Sequence, residues 1–430
     1  MGKTRACEIW FRTTTSIGSM NSVLIIGSVW PEPKSSAAGS HMMQLISAFR
    51  SNRFKITFVS ACTKTENAFD LSTLGISQKE IQLNHSSFDD FISRLDPSIV
   101  VFDRYMTEEQ FGWRVMECCP NALRILNTED LHFLRKGRQH ALTENKPFGT
   151  EYLFNDTAKR ELASIYRSDL SLIISEAEMK LLKDEFNVDS SLLHYFPFMV
   201  EPITKERMIQ LPKVHERNHF VTIGNYLHAP NFDAVIYLKE VIWPVIRRQL
   251  PKAEMHVYGA YLSQKAKQLH DVDNGFHVNG FIEDVNEIMK NAKVCLAPIR
   301  FGAGLKGKIV DAMQNGTPCI TTTIGAEGLY GGLEPNGYVI DDPKEFATMA
   351  VQLYLDENIW QSKQENGFKV INERFNGAEH QIALLDRIEA LQQKLDTHRM
   401  QNFTGAMLQY HSLQSTKYMS RWIEEKNKTN

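Results

Sequence analysis

Several features are missing from this 430-residue chain. No stretch approaches the roughly 18 to 20 consecutive apolar residues that a membrane span needs. The longest apolar runs, such as Val23 to Ile26, read as buried strands. Charge of one sign is not in excess: 48 Lys and Arg face 51 Asp and Glu, a formal net charge of -3. That removes the global basicity expected of a nucleic-acid binder. Cysteine is sparse, with six residues (Cys7, Cys62, Cys118, Cys119, Cys295, Cys319) and neither a CxxC pair nor a Cys/His cluster of zinc type. Cys118 and Cys119 are adjacent and unsuited to bridging each other, so all six read as reduced thiols in a cytosolic compartment. A secretory signal core is also lacking, so sites such as Asn402-Phe-Thr404 read as unglycosylated. The first 20 residues carry Lys3, Arg5 and Arg12 against one acid, Glu8, and a run from Thr13 to Ser16. They read either as an extension ahead of Met20 or, loosely, as an organelle transit peptide.

What is present is an ordinary globular composition, 43% hydrophobic and 23% charged. At roughly 150 residues per domain the length fits two or three domains. Short apolar runs alternate with helical patterns, the signature of parallel α/β layers. Strands are expected at Val23–Gly27, Lys55–Ser60, Ser98–Asp103, Ala122–Leu126, Leu170–Ile174 and Leu192–Phe196. Ser175-Glu-Ala-Glu178 reads as a capping box opening a helix. Residues 197–217, with Pro197, Pro202 and Pro212, show no clear period and read as a linker. The pattern then restarts at His219–Gly224, with further strands at Glu254–Gly259, Phe276–Asn279, Lys293–Ala297, Cys319–Thr322 and Gly337–Ile340. The expected division is an extension 1–20, a first Rossmann-like domain 21–200, a linker 201–217, a second such domain 218–376, and a helix and tail 377–430. The last helix carries a stripe at Ile382, Leu385, Ile388, Leu391 and Leu395. It would pack on a domain or meet a partner helix, and residues 399–430 read as weakly ordered. A cleft between two such units, at the carboxyl ends of their strands, is the default ligand site.

The most informative stretch runs from Pro298 to Met313, between a buried strand and a helix. Gly302 and Gly304 let backbone amides approach a ligand closely. The helix, expected to begin near Leu305, aims its amino terminus at the same spot, where free N–H groups and the dipole favour phosphate. Lys306 and Lys308 add positive charge. The sum reads as a diphosphate cradle, with Asp311 one to two turns further in, where a carboxylate can accept from ribose hydroxyls. By letter, Gly302, Gly304 and Gly307 also fit G-x-G-x-x-G. A dinucleotide site would require an acidic residue ending the next strand; that strand ends in Thr321-Thr-Thr323, and Glu327 lies past it. A Gly-rich turn with solvated lysines is the plainer alternative.

Gly302-Ala-Gly-Leu-Lys-Gly-Lys-Ile-Val-Asp-Ala-Met-Gln-Asn-Gly-Thr-Pro-Cys-Ile-Thr-Thr, followed by Gly-Ala-Glu-Gly-Leu329, resembles the donor-site signature of family 4 retaining glycosyltransferases of GT-B fold. Gly224 to Asn231, Val101 to Tyr105, Asn127 to Arg135 and Ser175 to Glu178 resemble further loops of one sub-group, so the likeness spans about residues 22 to 375. The resemblance implies two facing Rossmann-like domains, with a nucleotide sugar held mainly by the second. It implies that Gly302, Ala303, Gly304 and Leu305 meet the diphosphate or sugar, that Lys308 assists the phosphates, that Asp311 holds the ribose, and that Glu327 lies near the donor. Gly39, in the loop region after the first strand, would lie close to the reacting sugar. Two departures stand out. Many members carry two glutamates eight residues apart where this chain has Ala303 and Asp311, and the Arg and Lys that many place after the first strand of the second domain are not visible in Gly224 to Asn231.

On the acceptor side Asp103 ends a strand, a favoured place for a functional carboxylate, and equally for one that braces a loop. His132 follows the Asn127–Asp130 loop and is either structural or in contact with the sugar or acceptor. Arg135 and Arg138 read as a solvated face or as a site for an acidic acceptor. The resemblance implies a hexosyl transferase with retention. Its donor is a nucleotide sugar that serves as co-substrate, with no other cofactor. The acceptor is a glycan, lipid-linked or small molecule, and peripheral membrane contact stays open. No dependable DxD motif is visible, and basic groups suffice for the leaving diphosphate, so the transfer is expected to be metal-independent. The alternatives are a catalytically weakened GT-B binding protein and a nicotinamide-dependent enzyme on a similar frame.

Overall fold

The computed structural model describes residues 21–428, so the basic amino-terminal segment lies outside the described residues. Two wholly parallel sheets form the frame. The first contains β1 (Ser22–Gly27), β2 (Lys55–Ser60), β3 (Ser77–Glu80), β4 (Ile99–Asp103), β5 (Leu123–Asn127), β6 (Leu170–Ile173) and β7 (Leu193–Tyr195), in the order β3-β2-β1-β4-β5-β6-β7. The second contains β8 (Asn218–Ile223), β9 (Met255–Tyr258), β10 (Phe276–Val278), β11 (Ala292–Ala297), β12 (Cys319–Thr321) and β13 (Gly337–Val339), in the order β10-β9-β8-β11-β12-β13. Helices cover both faces, so the inner strands are continuous apolar runs; every residue of β4 and β5 is buried. β3 was not expected, because Ser-Gln-Lys-Glu on an exposed edge carries no apolar signal.

In both sheets the chain moves outward from the first strand, then returns to its other side. The order thus reverses between β1 and β4, and again between β8 and β11. Such reversals leave a crevice at the carboxyl ends of the strands, because the two connections diverge there. The two crevices face each other.

Two sequence readings are corrected and one is filled in. Residues 197–217 join the two sheets as a linker that includes a short helix, Lys205–Gln210, starting at Thr204, whose Oγ1 accepts from Arg207 N at 3.3 Å. The tail is not weakly ordered. The helices Leu395–Gln401 and Phe403–Lys428 lie on the first domain, held by buried polar ties that a mixed sequence conceals. Arg399 clasps Asp169 (Nε–Oδ1 2.8 Å, Nη2–Oδ2 2.7 Å), and Glu424 accepts from Ser86 N and Oγ at 3.0 and 2.7 Å. The preceding helix, Gly377–Gln392, joins the first domain's core through Leu384, Ile388 and Leu391, leaving Ile382 exposed. The chain therefore crosses between domains twice, and the crossings are bonded side by side: Val200 N donates to Phe375 O (2.8 Å) and Gly377 N to Val200 O (3.1 Å). Third, Ser175-Glu-Ala-Glu178 does not form a capping box; Ser175 makes no side-chain cap bond.

No described helix is long and apolar enough to cross a membrane. Cys62, Cys118, Cys119, Cys295 and Cys319 are free thiols.

Candidate active site

A cleft of about 1020 Å³ runs between the facing crevices. Its walls include Gly39, Asp103 and His132 from the first domain, and Gly302 to Lys306, Lys308 and Asp311 from the second. Of the site residues singled out in the sequence, Glu327 and Arg138 are absent from the lining.

On the first domain, β1 ends at Gly27 and the chain turns through a Pro-rich loop into the helix Ala37–Ser51. Ser36 caps that helix by accepting from Gly39 N at 3.0 Å. A Cβ on Gly39 would sit 2.3 Å from Glu32 O, so only glycine lets the loop fold back over the helix start. Asp103, at the end of β4, spends Oδ2 on Ser28 N (3.1 Å) and Ser28 Oγ (2.7 Å). Its observed work is bracing the β1 exit.

After β5, Glu129 (φ 62°) points its carboxylate inward, accepting from Asn127 Nδ2 at 2.9 Å and facing His41 Nδ1 at 3.4 Å. Asp130 pairs with Arg135 and lies 3.4 Å from His132 Nε2. Despite burial, the adjacent Arg135, His132 and His228 hold its carboxyl far below the usual range. Burial pushes both His132 and His228 down to about 4, opposed by Asp130 and aided by neighbouring cations, Arg135 first among them. Both rings are thus neutral at pH 7 and offer a hydrogen bond, not a charge. Ring 15N shifts titrated by NMR should stay in the neutral range down to about pH 5; a midpoint near 6.5 for His132 would contradict this geometry.

The helix His132–Thr143 starts on a buried carboxylate. Glu161 accepts from His132 N (3.2 Å) and Phe133 N (3.0 Å), and burial raises it to about 8. Glu178 does the equivalent work across the domain boundary. Its Oε1 accepts from Leu131 N at 3.0 Å and from Gly304 N at 2.8 Å, and burial raises it to about 7.

On the second domain, the turn after β11 holds Gly304 at φ 64°, where a Cβ would lie 2.9 Å from Asp130 Cβ. The helix begins at Gly307, with Lys306 before it, two residues later than expected. A Cβ on Gly307 would meet Ala37 Cβ at 2.7 Å, so two helix starts converge here. The Gly304 amide is engaged by Glu178, and Lys306 turns back to donate to Ala303 O (3.2 Å) and Gly304 O (2.7 Å). Lys306 therefore stiffens the turn. Ala303 packs into the first domain's core with Leu131 and Ile173. Lys308 and Asp311 remain on the wall; burial lowers the ammonium to about 8 and raises the carboxyl to about 7. Glu327 is clasped by Arg138 (2.6 and 2.8 Å), whose Nη1 also donates to Gly302 O at 2.8 Å. Arg138 is neither a solvated face nor a free anion site: it ties the domains. The far rim is tied by Tyr261 Oη, which donates to Glu32 (2.7 and 2.8 Å).

Sequence reasoning missed Glu161, Glu178, His41 and His228 as site builders. Glu178 and His228 stand inside quoted motifs, but their partners are on other elements; Glu161 and His41 lie on ordinary amphipathic helices.

The two facing parallel-sheet domains, with a cleft at both strand-order reversals, define the GT-B fold. Residues 217–356, within the second domain, match the family Glycosyl transferases group 1. Among solved structures, sucrose-phosphate synthase from Thermosynechococcus elongatus is similar at 14% identity and TM-score 0.65, covering 86% of this chain and 99% of that one. S. aureus TarM, in complex with fondaparinux, alpha-GlcNAc-glycerol and UDP, is similar at 10% identity and TM-score 0.65, with the same shares covered. Anabaena HepE, in complex with UDP and glucose, is similar at 12% identity and TM-score 0.62, covering 87% of this chain and 100% of that one. No curated protein matches the chain by sequence.

Proposed function

We propose that the protein transfers a hexose-type sugar from a nucleotide sugar to an acceptor bound on the first domain, with retention and without a metal. The observation that carries this reading is the cleft itself: Lys308, Asp311 and the start of the helix Gly307–Gln314 face Gly39 across it. Sugar transfer breaks an anomeric C–O bond and leaves negative charge on the departing diphosphate. A helix start and the Lys308 ammonium, still mostly protonated at pH 7, stabilise that charge where it develops. Asp311, held near neutral pH by burial, suits hydrogen bonds to ribose hydroxyls. The first-domain carboxylates on the cleft wall are all engaged, Asp103 by Ser28, Asp130 by Arg135, Glu129 by Asn127 and Glu32 by Tyr261, which disfavours a covalent carboxylate intermediate and favours a front-face route. His132, neutral and at the cleft wall, is placed to accept from a sugar or acceptor hydroxyl.

A second reading, a GT-B protein that binds but turns over weakly, is favoured by Ala303: where many family members carry a carboxylate, this chain packs a methyl.

A thermal-shift panel of UDP, GDP, ADP, their sugar conjugates and NAD(P) tests both. One nucleoside diphosphate is expected to stabilise the protein, by about 2.7 kcal/mol at a hundredfold excess over Kd. Lys308→Ala and Asp311→Ala should each abolish most of the shift. A response to NAD(P) alone would sink the proposal. Nucleotide binding with neither transfer nor donor hydrolysis would favour the second reading.

A further inference from the structure

A second cluster of chemistry lies away from the cleft. His219, His256 and His277 are each the second residue of a neighbouring strand, β8, β9 and β10, whereas the cleft opens at the opposite, carboxyl ends. His256 pairs in register with Val221 on one side and with His277 on the other. Since alternate residues share a face, His219 and Val221 project on the same side as Glu254 and His256. The three Nε2 atoms converge on one oxygen. Glu254 Oε2 is 3.0 Å from His256, 3.6 Å from His277 and 3.8 Å from His219. The ligand atoms of His219, Glu254 and His256 all lie within 4.8 Å of one another.

Hydrogen bonding does not account for this convergence. Only the His256 contact has hydrogen-bond length. His219 Nδ1 and His277 Nε2 are buried atoms without a hydrogen-bond partner. His219 is also held at φ 61°, a conformation that costs about 1–3 kcal/mol in a non-glycine residue and tends to persist at functional sites. A tetrahedral cation with bonds of about 2.0–2.1 Å sets its ligand atoms about 3.3 Å apart. The three separations from Glu254 bracket that figure, and two to three imidazoles with one carboxylate form the donor set that suits a borderline cation such as Zn²⁺.

We propose that His219, His256 and Glu254 bind a zinc-class divalent cation, with His277 as the adjacent fourth group, clamping the neighbouring strands β8, β9 and β10. The site is structural and separate from the transfer chemistry. Beyond the Glu254-x-His256 pair its groups come from β8 and β10, 35 residues before and 21 residues after that pair, so no zinc-type spacing announces it.

The full-length protein, stripped with a chelator, is titrated with ZnCl₂ and followed by calorimetry and by its unfolding midpoint. One equivalent should bind and raise the midpoint, and Mg²⁺ should not. Glu254→Gln keeps the contact to His256 while removing the charge. It should leave the metal-free midpoint unchanged and weaken Zn²⁺ at least 10-fold. His219→Ala should do the same, and His277→Gln should weaken binding on the order of 10- to 100-fold. Absence of saturable Zn²⁺ binding to the wild-type protein would overturn the proposal. So would affinity unchanged in both Glu254→Gln and His219→Ala, or a shift reproduced by Mg²⁺.

Discussion

Glu178→Ala should destabilise the protein by about 2–6 kcal/mol, and Glu178→Gln by far less. The alanine leaves two buried N–H groups, of Leu131 and Gly304, without an acceptor, at about 1–3 kcal/mol each. Both bonds go to Oε1, and Oε2 is unpartnered, so a glutamine that offers its oxygen at Oε1 preserves both. The first unfolding transition in urea checks this; equal losses for the two variants would show that the bonds are not the source. Charge gives the same pair a second readout. Burial raises Glu161 to about 8 and Glu178 and Asp311 to about 7. A raised carboxyl contributes stability fully present below its unfolded pKa and lost as pH rises through its folded value. His132 and His228, lowered to about 4, contribute stability that is present above the unfolded value of about 6.5 and lost as pH falls from there through 4. Lys306 and Lys308, lowered to about 8, are level well below that. Between about pH 6.5 and 7.5 the carboxyls outweigh the opposing slopes of His132, His228, His194 and the two lysines, and stability should fall with rising pH, by at most about 1.4 kcal/mol per pH unit for each carboxyl. Glu178→Gln should flatten that slope.

Arg138→Ala should cost about 3–5 kcal/mol and open the cleft. It removes a buried guanidinium that holds Glu327 by two bonds and Gly302 by a third, leaving the carboxylate partly buried and unpaired. Glu327→Ala in the same background should recover part of the loss. A double-mutant cycle should return a coupling of about 0.5–3 kcal/mol, and small-angle scattering of Arg138→Ala should show a larger radius of gyration. Additive effects, with unchanged dimensions, would mean that the bridge closes nothing.

The frame was legible because parallel strands buried on both faces leave unbroken apolar runs; Val23–Gly27 and Lys293–Ala297 read almost to the residue. The turn after β11 was legible because Gly302 and Gly304 lie between a buried strand and a helix. What failed was polar. β3 is Ser-Gln-Lys-Glu, and its pairing comes from β2, not from its own side chains. The tail is ordered through Arg399, Ser420 and Glu424, each matched to a residue some 230 to 340 positions away. Glu178 mimics a local cap by letter, yet its bonds cross to other elements. Partner identity at such distances is a property of topology, and spacing along the chain does not encode it.

The paired crossings at Val200 and Asn376 also bear on the order in which the chain can fold during synthesis. The ribosome releases all seven strands of the first sheet early, but the helices from Gly377 onward emerge only after the whole second domain. Until then Leu45, Phe49 and Leu172 lack the cover of Leu384, Ile388 and Leu391, and Asp169 lacks Arg399. The later-made domain is therefore the one able to finish first, while the earlier one waits, partly uncovered, for its own closing segment.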